Sequence, residues 1–178
     1  ASMPRSRPML RCGSTSRSSE ATTVGRERRD ESTVAPRVTA VGAAAVDEWY
    51  KMLDWEGWSF WHFHYEKYTG EGEKLHVTNN LMNGFLSRAE HVNKYCFARH
   101  GVFGEEPNLE IMGVWLCRGA KELPDGLVKE HPQFEYYKYR QLDPRNKKED
   151  DTLIREYFGG VEGDKMGGLT AQTLRWVK

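Results

Sequence analysis

All 21 aromatic residues of this 178-residue chain lie beyond residue 45. That asymmetry limits the fold more than any motif does. Large apolar side chains supply most of the burial that offsets the entropy of ordering a chain. A segment without them does not hold a fold by itself. The sequence therefore predicts one domain over 46–178, preceded by an extended, non-globular N-terminal arm over 1–45. The arm carries eight arginines, no lysine and four acidic residues (Glu20, Glu27, Asp30, Glu31), a formal +4. The remainder has 18 basic and 22 acidic residues, a formal −4, so the whole chain is neutral. Arg5, Arg7, Arg11 and Arg17, set among serines, read as a mitochondrial presequence or its remnant. The mixed charges of Arg26, Glu27, Arg28, Arg29, Asp30 and Glu31 run against that composition.

Zero net charge offers no general attraction to nucleic acid or to a membrane surface. No run of eighteen apolar residues occurs, so no transmembrane helix is predicted. Cys12, Cys96 and Cys117 are too few and too scattered for a disulfide framework. They read as thiols kept in a reducing compartment.

Periodicity then divides the domain. Residues 43–55 space Trp49, Met52 and Leu53 as a short helix. Residues 58–68 alternate, with Trp58, Phe60, His62 and His64 on one face and Ser59, Trp61, Phe63 and Tyr65 on the other. Aromatics on both faces predict a strand covered on both sides. A helix is expected over 80–93, with Leu81, Phe85 and Ala89 as its apolar stripe. Residues 95–103 and 109–118 pair as an antiparallel hairpin. A further strand is expected over 134–142. Next comes a helix holding Leu153, Ile154, Tyr157 and Phe158, capped by Asp150 or Asp151. A last strand runs over 170–177. The fold class is α+β: a mostly antiparallel sheet of about five strands flanked by helices.

Five blocks in this domain carry a resemblance. They are Glu56-Gly57-Trp58-Ser59-Phe60-Trp61; Asn80-Leu81-Met82-Asn83-Gly84-Phe85 with Arg88; Ile111-Met112-Gly113-Val114-Trp115-Leu116-Cys117-Arg118-Gly119; Tyr139-Arg140-Gln141-Leu142-Asp143-Pro144; and Ile154-Arg155-Glu156-Tyr157-Phe158. In order, spacing and tryptophan content, the region from Asp47 to Lys178 resembles the C-terminal domain of the gamma subunit of translation elongation factor 1. The resemblance implies a non-catalytic domain that accompanies a guanine-nucleotide exchange subunit. In the family a glutathione-transferase-like domain and a lysine- and proline-rich linker normally come first. Here an Arg/Ser arm stands before the domain instead. Read without the family, the blocks are architecture. Gly113 inside a strand leaves room for a bulky neighbour, with Trp115 the expected one. Arg118, Arg155 and Glu156 read as a polar patch or an ion pair.

Few residue clusters in the chain could carry chemistry. His62 and His64 share a strand face, a spacing that could ligate a metal, with His76, His91 and His100 as third ligands by number alone. Their aromatic neighbours favour ordinary core or rim histidines. Glu71 and Glu73 sit on a Gly-rich turn without a partner. Cys96 and Cys117 are expected to face each other across the hairpin, packed as small hydrophobes. No nucleophile-elbow, phosphate-loop, dinucleotide or zinc-protease pattern is present. The expectation is therefore no catalytic residue, no cofactor, no metal and no enzymatic activity. The partners expected are other protein subunits, with RNA contact through the arm as the lesser reading.

Two functions compete. The arm's composition favours a structural accessory subunit of a larger mitochondrial assembly, such as an ATP synthase, a respiratory complex or a ribosome. The matched blocks favour the alternative, a cytoplasmic gamma subunit of the elongation factor 1 complex.

Overall fold

The computed structural model describes residues 40–119 and 121–178. The expected arm over 1–45 lies almost wholly outside the described residues. The elements run α1 (Ala40–Met52), β1 (Trp58–Tyr65), α2 (Leu75–Arg88), a 3-10 helix (Glu90–Tyr95), β2 (Cys96–Phe103), β3 (Glu110–Arg118), α3 (Asp125–Val128), a 3-10 turn (Phe134–Tyr136), β4 (Tyr137–Leu142), α4 (Lys148–Gly159), β5 (Lys165–Met166) and β6 (Leu169–Val177). The six strands form one sheet in the order β4-β1-β3-β2-β6-β5. All the paired strands are antiparallel. The α+β class is the one expected. The sixth strand is the two-residue β5, which pairs with the start of β6 and is too short to leave a period in the sequence.

Central β3 shows why both faces of the sheet are covered. Ile111, Trp115 and Cys117 point to one core, and Met112, Val114 and Leu116 to the other. On the first face lie α2, α3 and the 3-10 segments, with Trp61, Phe63, Met82, Phe85 and Phe134 in the same cluster. On the second lie α1 and α4, with Val46, Phe60, Ile154 and Tyr157. Here α1 and α4 pass so close that a Cβ on Gly42 would stand 2.7 Å from the Gly159 Cα. Only glycine permits that approach.

Local reading fails where distant groups define an element. The helix expected over 80–93 is α2, and it begins earlier, at Leu75. Lys74 provides no side-chain cap, but Glu106, at the turn between β2 and β3, accepts the Leu75 N–H at 2.6 Å. The helix also gives way earlier, to the 3-10 turn at Glu90. The strand expected over 134–142 opens instead as a 3-10 turn, because Phe134 is drawn into the first core and stacks near Phe63 and Tyr139. Asp150 does not cap α4. Its carboxylate accepts the Asp143 N–H at 2.9 Å and pairs with Arg140 at 2.7 Å, tying β4 to α4. The hairpin of β2 and β3 has the expected partners, with Cys96 opposite Cys117.

Candidate functional site

The sheet separates the histidines that the sequence grouped. His62 and His64 lie on the α4 side of β1. The His62 ring meets the Tyr157 ring edge-on at 6.2 Å. Burial, helped by nearby Arg140 and His64, pushes the His62 imidazole down to about 4, so it is neutral at pH 7. His64 is engaged elsewhere: its Nε2 lies 2.9 Å from Glu110 Oε2, and Lys67 Nζ holds the other oxygen of Glu110 at 2.7 Å. Burial pushes the Glu110 carboxyl up, but the hydrogen bonds and charges of Lys67 and His64 prevail and hold it below its usual range.

The proposed third ligands sit elsewhere. His76 is exposed on α2. His91 lies against the Gly126 carbonyl at 2.9 Å. His100 lies inside the opposite core. Among the described residues, no three His, Cys, Asp or Glu side chains gather around a common point suited to a metal ion.

His100 is the best-defined polar element of the first core. It is fully buried, and its Nδ1 accepts the indole N–H of Trp115 at 3.0 Å. That bond places the imidazole proton on Nε2. Burial, with a small contribution from His62, drives its pKa to about 3, which keeps the ring neutral. Gly113 exists for this ring: a Cβ there would lie 2.0 Å from His100 Nδ1. The bulky neighbour of Gly113 is therefore His100, not the expected Trp115. Pleating places i and i+2 side by side along a strand, whereas His100 approaches from directly opposite on β2.

One buried histidine escaped the sequence reading. His131 lies against the Phe85 carbonyl of α2 at 3.0 Å through Nε2, and its Nδ1 accepts the Gln133 N–H at 3.1 Å. It secures the connection after α3 beneath α2. A single histidine beside Pro132 in a polar loop shows no period that would reveal this.

Arg118, Arg155 and Glu156 form no common patch. Arg155 bonds Asp151 within α4 at 2.9 Å and reaches Asp47 of α1 at 2.7 Å, pinning the two helices together. Glu156 accepts the Gly167 N–H of the β5–β6 turn at 2.8 Å. Arg118 ends β3 and lines a cleft. The Glu71 carboxylate accepts the Tyr68 N–H at 2.9 Å, and the adjacent Gly72 carbonyl accepts the Leu109 N–H at the same distance. That loop is a brace for the start of β3.

Cys96 and Cys117 do face each other, with their sulfurs 3.2 Å apart. Three of the surface depressions among the described residues differ in character. The first, about 630 Å³, has Trp55, Trp58, Lys121, Asp143, Arg145 and Lys147 among its walls. The second, about 500 Å³, includes His91, Lys94, Tyr95, Arg118 and Asp125. The third, about 300 Å³, is apolar, with Trp49, Phe97, Phe158 and Trp176 meeting edge to face and face to face.

Residues 38–121, from α1 through β3, match the family model described as "Elongation factor 1 gamma, conserved domain". An elongation factor 1-gamma of Prunus avium is 34% identical over 124 residues, covering 68% of this chain and 29% of that protein. One of Artemia salina is 32% identical over 127 residues, covering 69% and 28%. One of Homo sapiens is 33% identical over 120 residues, covering 65% and 26%. The chain thus spans under a third of the length of these relatives. These matches correct the expectation of a subunit in a mitochondrial ATP synthase, respiratory complex or ribosome. That expectation rests on the arginine and serine content of residues 1–45, a composition many solvated tails share. The family match runs over residues 38–121, which hold α1 through β3.

Proposed function

We propose that the chain, whose residues 38–121 match the elongation factor 1 gamma conserved-domain model, acts as a gamma-type accessory subunit of the translation elongation factor 1 complex. Its work there is to support the guanine-nucleotide exchange subunit as a non-catalytic, rigid docking body. The observation that carries this reading is the extent of the match, which takes in the two-sided tryptophan core around β1, β2 and β3. A cytoplasmic location and protein partners follow from the same reading.

The division of labour is part of the proposal, with an arm ahead of the domain. Val46 is the first residue of α1 described as buried, and Gly42 already packs against Gly159 of α4, so the domain takes in α1 from Ala40 onward, a few residues ahead of the expected boundary at 46. Limited proteolysis of the full chain is expected to leave a stable fragment that begins close to α1. A fragment that starts well inside β1 would remove the division.

The main experiment is tandem-affinity purification of the tagged full chain from cells, with mass spectrometry of the eluate. The guanine-nucleotide exchange subunit and the factor that delivers aminoacyl-tRNA are expected at near-equal amounts. A folded, soluble chain that elutes without the exchange subunit rules the reading out.

A further inference from the structure

We propose that Cys96 and Cys117 form a reversible oxidation site, closing into a cross-strand disulfide by exchange with a small-molecule disulfide. The register sets the two residues directly opposite on β2 and β3. Directly opposed residues of an antiparallel pair have Cα atoms about 4.5–5.5 Å apart. A disulfide accepts Cα separations of about 4.4–6.8 Å, so the backbone need not move. The sulfurs already stand 3.2 Å apart, and bonding at about 2.05 Å requires only a small side-chain rotation.

Burial is the obstacle, since Cys96 is 4% exposed and Cys117 fully enclosed. Burial, and then the neighbouring Cys96, push the Cys117 thiol well above its usual range. The way in is the end of β2. Cys96 is the first residue of that strand, and pairing of β2 with β6 begins only at Ala98. A 3-10 turn rather than an α-helix precedes it, and such turns have the poorer hydrogen-bond geometry. Opening that turn exposes Cys96 without unzipping the sheet. The second cleft is lined by Tyr95 and Arg118, the sequence neighbours of the two cysteines, and offers a small disulfide a place to approach.

The exchange balances without further reagents. Cys96 gives up its proton, and its thiolate attacks one sulfur of the small disulfide, expelling one small thiolate. Cys117 then loses its proton and attacks Cys96 Sγ, expelling the second. One disulfide bond breaks and one forms. Two electrons pass to the small disulfide, and the two expelled thiolates take up two protons.

The test uses the full chain, reduced and then equilibrated with oxidised glutathione at about pH 8, where thiolate is more abundant. Remaining thiols are alkylated, and the protein is digested without reductant. The expected product is one peptide pair linking Cys96 to Cys117. It should persist in Cys12→Ser, disappear on adding dithiothreitol, and accompany a higher melting temperature. In Cys117→Ala the resolving thiol is gone, so Cys96 should retain glutathione. Recovery of Cys96 and Cys117 as alkylated thiols in the intact chain overturns the proposal. So does a bridge that runs only through Cys12.

Discussion

The two faces of the sheet solve the same packing problem with different chemistry. The α2 face encloses its polar groups: His100 inside the core, His131 under α2, and the paired thiols. The α1/α4 face places Arg155 with Asp47 and Asp151 nearer the rim and encloses the Asp150 carboxylate, which meets the half-exposed Arg140. His100 makes its hydrogen bond through Nδ1 alone, its buried Nε2 having no partner among the described residues, so the Trp115 bond is the one it depends on, whereas a rim pair tolerates water. The first face should therefore be brittle to substitution and sensitive to mild acid. The second should yield in smaller steps.

The largest contrast should come from Trp115. It touches Phe63, Phe85 and His100, and its N–H is the donor to His100. Trp115→Ala is expected to cost about 3–5 kcal/mol in urea unfolding. Trp115→Phe keeps most of the ring contact but abandons His100 Nδ1, so a cost of about 1–3 kcal/mol should remain. If Trp115→Phe proves neutral, the buried hydrogen bond is not what distinguishes this face.

Acid should sharpen the comparison. His100 and His62 both have folded pKa values below the ordinary 6.5, at about 3 and about 4. The unfolded chain therefore takes up protons first. Stability should hold above pH 6.5 and fall as pH drops toward 4, by up to about 1.4 kcal/mol per pH unit for each group. The smaller share belongs to His62, which is less enclosed. His100→Asn, compared by unfolding at stepped pH, should flatten the slope more than His62→Asn does.

Asp150 tests the other face. Burial raises its carboxyl pKa, but the Asp143 N–H and Arg140 outweigh burial and hold it below its usual value. Its contribution is present above the unfolded value of 3.8 and is lost only as pH falls below that. Asp150→Asn should cost about 1–3 kcal/mol at neutral pH. Arg155→Ala, which removes a partly exposed link, should cost under about 1 kcal/mol. A reversal of that order in thermal melts would remove the distinction between enclosed and rim groups.

The smallest effect belongs to Tyr157. It is fully buried, yet its hydroxyl finds no partner among the described residues. Tyr157→Phe should be neutral or stabilising by up to about 1 kcal/mol, judged by the midpoint of denaturation. A clear loss of stability would reveal an acceptor for that hydroxyl.

Much of this architecture is legible along the chain because it depends on local periods. The alternation from Trp58 to Tyr65 places Phe60 in one core and Trp61 and Phe63 in the other, as observed. The facing of Cys96 and Cys117 follows from the hairpin alone. The start of α2 was not legible, because its cap, Glu106, lies 31 residues away. Nor was the role of Gly113, whose partner His100 arrives from the neighbouring strand.

Composition and period by themselves determined the two-sided α+β domain, its aromatic core and the family blocks, since burial and pleat repeat along the chain. Only the tertiary structure decided which polar groups meet. It separated His62 from His100 by the thickness of a sheet, and it turned Asp150 from a helix cap into a clasp between β4 and α4. Hydrogen bonds are short and directional, so their partners are set by how distant segments come to rest against one another.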